Sequence, residues 1–521
     1  MTDSYSTMTA ARGSVLPEGG REESEAGMIN LSRRKVIIAW VALGSGLGCA
    51  CLIMPTQGMI YSLQFSICFL LLILVGFRWW TRPVHSGVFS YFSPHTVILL
   101  NGLLFYGIGS VPPLIFPEQV GLNYGATEYY IPMLAVIVAG LALFDSAYRL
   151  VVKMFSLNEY IERGLDNFFT PSIQKAIPFY TIIAYAACLL LFLHMSSVYI
   201  FRPFRFEGAV SETDNIFALS SFLLLSLTCC LMSILFFRSK NGTIRVLVII
   251  GFVFLLPIFF AFQSRKLVFF IFLVMIVVYA LYSPQKLKWV WLITGFILML
   301  LAFLIMSMVK MAQIRDPSIS RFSTEEKNIL IRTEKIIASE QFTSLENLQF
   351  ILLLNAKKRV AGLDFPAAIM DAHINGGIPF MHGGHNLLGA AKIIPRVIWP
   401  DKPIAAPEGE ILRHFELSYR DQLSTLLTSA YADWGIAGVL AGGVFLAVFL
   451  GTVLRVILIR KDGILVYLLS LYVLFSKFPS FLLHSPLYWL RWVCIIIVFN
   501  TIVYSIYRLV ISGKSGGEAV C

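Results

Sequence analysis

The chain has 521 residues, 57% of them hydrophobic and 14% charged, with a formal net charge of +11 and a mean hydropathy of +0.77. A soluble domain carries about a quarter charged residues, so this composition excludes an ordinary soluble enzyme and reads as an all-α polytopic membrane protein. The basic excess is spread through short segments between apolar runs, which points to a positive-inside bias and not to nucleic acid.

In chain order, residues 1–34 are polar, rich in Gly, Ser and Glu, and read as a disordered cytoplasmic N-terminus. They lack the apolar core of a signal peptide, so the first hydrophobic run is expected to be a retained span. At roughly 18–23 apolar residues per crossing, about twelve transmembrane helices are expected. They fall near 36–54, 60–79, 95–115, 129–148, 177–196, 216–236, 244–262, 267–283, 289–309, 434–457, 463–482 and 490–511. The expected organisation is therefore spans one to nine within 35–309, a large loop or lid over 310–425, spans ten to twelve within 426–511, and a cytoplasmic tail at 512–521.

Basic residues set the orientation. With the N-terminus in the cytoplasm, the inner segments carry Arg33, Arg34, Lys35, Arg78, Arg82, Arg149, Lys153, Arg163, Arg238, Lys240, Arg455 and Arg460, among others. This asymmetry predicts an N-in, C-in membrane protein, with the large loop on the opposite face. Ser323 to Glu326 has capping-box spacing before an apolar-periodic stretch, so the loop is expected to be partly helical, with a further short helix around Glu408 to Leu426.

Within this loop, Phe380 to Pro403 concentrates His382, His385, Lys392, Arg396 and Lys402 among glycines and prolines. Such a stretch is a shaped backbone rather than a long regular element. Outer cations run against the positive-inside bias and are therefore informative: Arg202, Arg205, Arg265, Lys266, Arg396, Lys402, Arg413 and Arg420. Guanidinium groups bind phosphate oxygens bidentately, and several together neutralise a diphosphate without a metal; snorkelling to lipid headgroups is the alternative. His382 and His385 are three residues apart, either sharing a helix face or flanking a turn. No cysteine or HExxH pattern completes a zinc site, and the eight cysteines lie in apolar runs or at the C-terminus. His385 and Asp433 are candidate general bases. Asp433, at the outer mouth of the tenth span, is alternatively an interfacial helix cap. Trp399 and Trp434 are placed to stack on sugar rings. Walker and GxGxxG patterns are absent, so no nucleotide or other cofactor is expected.

Three features together resemble one family. They are a dozen spans with one long outer loop, Gln263-Ser-Arg-Lys266 opening a span, and Ile394-Pro-Arg-Val-Ile-Trp-Pro-Asp-Lys-Pro403 followed by Ala430-Tyr-Ala-Asp-Trp-Gly-Ile-Ala-Gly438. This pattern is similar to the bacterial oligosaccharide repeat-unit polymerases (Wzy-type O-antigen and capsule polymerases), relatives of the O-antigen ligases. The resemblance implies a GT-C-like, metal-independent, inverting glycosyltransferase acting on undecaprenyl-diphosphate-linked glycans at the periplasmic face. A chain-length regulator and a flippase are then candidate partners, besides membrane lipids. It assigns the carrier diphosphate to Arg265 and Arg396 and the base to His385. A ligase transferring polymer to lipid A core, and a polysaccharide transporter, are the alternatives.

Overall fold

A computed structural model of the chain describes residues 66, 69–71, 73, 84–85, 93–107, 124, 126–196, 212–262, 275–279, 281–282, 362–384, 407–418, 425–460, 462–476 and 493–506. The chain divides into two compact units, residues 1–83 and 84–521, and the architecture below is that of the second. Among the described residues there is no strand, and helix dominates.

The central pair is α2 (Tyr130–Met154) against α9 (Leu426–Leu458). On α2 the buried stripe Tyr130, Leu134, Ile137, Leu141, Phe144, Tyr148, Val151 alternates steps of four and three. On α9 the buried stripe Val439, Gly443, Leu446, Leu450, Val453, Ile457 does the same. This is the spacing that keeps one seam of each helix facing its partner. Apolar attraction between helices is weak in lipid, so close backbone approach has to supply the contact. Gly443 provides it, since a methyl there would come 2.5 Å from the Gly140 carbonyl oxygen. A methyl on Gly451 would collide with Val151.

Around this pair stand α1 (Pro94–Gly102), which runs into a π-helical turn at Leu103–Gly107, and α3 (Leu157–Phe168). They are joined by α4 (Pro171–Ser196), α5 (Glu212–Arg238), α6 (Gly242–Phe262), α10 (Gly463–Ser476) and an apolar helix α11 (Val493–Ile506). The shorter α7 (Asp364–Ile374) and α8 (Pro407–His414) belong to the region expected as a loop. Helix α4 packs along α5, α5 touches α6 and α10, and α7 rests on the start of α2 and on α9.

Pro178 lies inside α4 and has no N–H to give to the Gln174 carbonyl one turn earlier. The Arg238 guanidinium, from the end of α5, donates to that oxygen instead. The proline's missing bond becomes an inter-helix link.

Three described stretches, Thr127–Met154, Ile173–Leu190 and Leu426–Leu458, are long and apolar enough to cross a membrane. The expected crossings at 36–54 and 289–309, and the Ser323 capping box with its amphipathic run, lie outside the described residues. Two of the boundaries that differ from expectation are explained by neighbouring groups. The span expected over 129–148 continues to Met154, because Arg149 is neutralised by Asp145 on the preceding turn. The helix expected around 408–426 stops at His414. Glu416 turns left-handed (φ 54°) and Leu417 N–H bonds the Leu412 carbonyl at 2.8 Å, which ends the helix in a Schellman turn. The amphipathic α3 was not foreseen. It buries Leu157, Ile161, Gly164 and Phe168, and exposes Glu159, Glu162, Arg163 and Asp166.

Candidate functional site

Helix α9 is two helices in one line. Thr425 starts it as an N-cap, in extended conformation, its hydroxyl accepting from Thr428 N–H at 3.0 Å. The Tyr106 hydroxyl from the π-helical turn bonds the same Thr425 oxygen. At Trp434 (φ −143°, ψ 22°) and Gly435 (φ 60°, ψ −141°) the backbone leaves the helical region before the helix resumes. Such a break strands the last carbonyls of the first segment. The loop after α7 satisfies two of them: Met381 N–H donates to the Ala432 carbonyl at 3.0 Å and His382 N–H to the Asp433 carbonyl at 2.9 Å.

That loop is held from below and from the side. The Ile378 carbonyl accepts from His373 Nδ1–H at 2.8 Å, and the Pro379 carbonyl accepts from His414 Nε2–H at 2.7 Å. Because a carbonyl only accepts, these bonds fix which ring nitrogen of each histidine carries its proton. The Phe380 ring stacks on His373 with centroids 3.9 Å apart and meets Tyr431 edge-on at 5.7 Å. Gly435 lies beneath it, and a methyl there would sit 2.7 Å from Phe380 Cζ. Gly377 (φ 66°), His382 (φ 49°) and Gly383 (φ 91°) are all left-handed, so the loop turns sharply on both sides of Phe380.

Asp364 ties the same end of the bundle to α2. Its carboxylate is 2% exposed and accepts from Tyr124 N–H and from the Tyr130 hydroxyl, both at 3.2 Å. The Tyr124 hydroxyl donates to the Ser418 carbonyl at 3.0 Å, joining the α8 segment. Four segments distant in sequence therefore converge on the break in α9.

Of the candidate base and diphosphate-binding residues, Asp433 and Arg413 are described. Asp433 is fully enclosed at the break and contributes its carbonyl to His382. Arg413 is exposed on α8 and pairs with Glu410 at 3.2 Å. Its charge is solvent-screened, and it is not drawn into the break. Arg202, Arg205, Arg265, His385, Arg396 and Lys402 lie outside the described residues. Of the two histidines three residues apart, His382 is described. It is exposed, in a left-handed turn and not on a helix. Sequence reasoning passed over Asp364, Tyr130 and Phe380, since none carries a motif. His373 and His414 are weaker outer-side histidine candidates in the sequence, and the structure brings both onto the carbonyls of this loop.

A second polar cluster occupies the opposite end of α2. Asp145 accepts from His95 Nε2–H at 2.9 Å and from Arg149 Nε at 3.0 Å. The His95 ring stacks on Tyr148 at 4.8 Å. Beside it, Asn158 gives its amide N–H to the Val84 carbonyl at 3.2 Å, so its oxygen accepts from His85 Nδ1–H at 2.8 Å. His85 Nε2 then accepts from the Tyr148 hydroxyl at 3.1 Å. Burial pushes the His85 imidazole down to about 4; the Asn158 bond opposes the fall and nearby His95 adds to it. This cluster joins α1, α2 and α3.

No protein-family model, curated protein or solved structure matches this chain.

Proposed function

We propose that this membrane protein polymerises undecaprenyl-diphosphate-linked oligosaccharide repeat units into a surface polysaccharide. In this reading it is a GT-C-like, inverting glycosyltransferase of the bacterial inner membrane that works without a metal, its site on the periplasmic face and both termini in the cytoplasm. The growing glycan leaves its diphosphate carrier and is transferred to a hydroxyl of the next lipid-linked unit. A chain-length regulator and a flippase are its expected partners.

One observation carries the reading. The loop that leads towards the Ile394–Pro403 motif and the motif stretch from Ala430 to Gly438 are remote in sequence. They are joined by the paired bonds Met381 to Ala432 and His382 to Asp433. The chain leaving Gly384 leads into Pro395-Arg396 and Pro400-Asp-Lys-Pro403. Departure of a lipid diphosphate needs preorganised positive charge more than it needs covalent help. Arg265, Arg396 and Lys402, with Arg202 and Arg205, are assigned to that charge. Asp433, enclosed at the break, holds the loop in place, which leaves His385 as the general base for the acceptor hydroxyl.

Purified protein supplied with lipid-linked repeat units, with products resolved on a gel, tests this directly. A ladder formed with no other acceptor supports polymerisation; polymer transfer only when lipid A core is added means a ligase. Arg265→Ala and Arg396→Ala are each expected to abolish long-chain polymer while the protein still inserts. Normal ladders from both would overturn the assignment.

A further inference from the structure

Trp434 is the residue at which α9 breaks, and 49% of its surface stays exposed. A tryptophan that only anchors a helix in a membrane interface needs no special backbone. Here the indole sits at a helix break, in a non-helical conformation, and its six-membered ring lies against Gly383. A methyl on Gly383 would stand 3.0 Å from Trp434 Cζ2. Gly383 is itself buried and left-handed at φ 91°, so the residue under the ring is one whose backbone favours glycine. Next to it His382 is also left-handed, at φ 49°, an uncommon conformation for a residue with a side chain. Its imidazole is exposed, while its own N–H is tied to the Asp433 carbonyl. Backbone strain of this kind persists where the surroundings over-determine it. Here the surroundings are the two inter-segment hydrogen bonds and the Phe380–His373 stack.

The geometry points to a sugar subsite at the break: a pyranose ring of the substrate glycan stacks on the Trp434 indole, and His382 hydrogen-bonds one of its hydroxyls. This deepens the polymerase reading and rests on it for the identity of the glycan. The chemistry fits both surfaces of a sugar. A pyranose offers a face of C–H bonds to an aromatic ring and a rim of hydroxyls to a donor–acceptor such as imidazole. A polyprenyl chain would use the indole but has no use for the imidazole.

The test is a binding measurement separate from polymerisation. The host's repeat-unit oligosaccharide, cleaved from its carrier by mild acid, is titrated into full-length protein in nanodiscs and followed by saturation-transfer NMR. Trp434→Phe is expected to retain binding. Trp434→Ala is expected to weaken it about tenfold, the order of one aromatic stack. Gly383→Ala, which displaces the ring without removing it, is expected to weaken binding similarly, with helix content unchanged by circular dichroism. Equal binding by wild type and Trp434→Ala, or no binding by wild type at millimolar glycan, overturns the subsite. Glycan binding that depends on Trp434 in a protein that makes no polymer keeps the subsite and overturns the polymerase reading instead.

Discussion

His382 and Asp433 are joined by a backbone hydrogen bond of 2.9 Å, the N–H of a left-handed loop residue meeting a carbonyl stranded by a broken helix. Each element supplies what the other lacks. The break in α9 leaves acceptors without intrahelical donors, and the loop after α7 has N–H groups with no helix of its own. The consequences of this joint, and of the contacts that support it, are measurable.

Gly435→Ala is expected to destabilise the protein by about 2 kcal/mol, combining a disfavoured positive φ with a methyl pressed into Phe380. Thermal unfolding in detergent measures it. Adding Phe380→Ala removes the clash and leaves the backbone penalty. The double variant should therefore lose less than the sum of the two single changes.

Asp364→Ala removes the shared acceptor of Tyr124 N–H and the Tyr130 hydroxyl in a buried setting. A loss of about 2–3 kcal/mol is expected, since two buried donors lose this acceptor. Asp364→Asn keeps one acceptor oxygen and should lose less. Limited proteolysis between α7 and α8 should accelerate in the alanine variant, reporting a loosened cover over the break.

Gly443→Ala tests the α2–α9 seam. Its methyl would meet the Gly140 carbonyl oxygen at 2.5 Å, so the helices must separate, at a cost of about 1–3 kcal/mol. Gly242→Ala, where an added methyl meets nothing within 4 Å, is the matched control and should leave the melting temperature unchanged or slightly raised.

His85 makes stability depend on pH. Its folded value of about 4 lies below the ordinary 6.5, so between these values the unfolded chain binds the extra proton. Stability is therefore full above about pH 6.5 and falls as the pH drops towards 4, by about 2 kcal/mol at pH 5. Comparing melting temperatures at pH 7 and pH 5 for wild type and His85→Gln checks this. The variant should lose that part of the pH dependence.

Much of the bundle was legible from the chain because its signals are local. Runs of apolar residues place α2, α4, α5 and α9 with shifts of a few residues at their ends, and Gly, Pro and charge mark the segments between. The differences fall where another group overrides the signal of a single residue. Arg149 reads as the end of a span, yet Asp145 neutralises it and the helix continues to Met154. Trp434 reads as the start of a span, yet the helix begins at Leu426 and only breaks there. Pro178 lies inside α4, and Arg238 from another helix occupies the carbonyl it leaves open.

By itself, the sequence determined that this is a helical membrane protein and that Phe380 to Pro403 is its unusual stretch, because composition and spacing act through each segment alone. Only the tertiary structure decided what that stretch does at its first residues. Pairing Met381 and His382 with Ala432 and Asp433 depends on a helix break far along the chain, and no local pattern encodes which stranded carbonyl a loop will find.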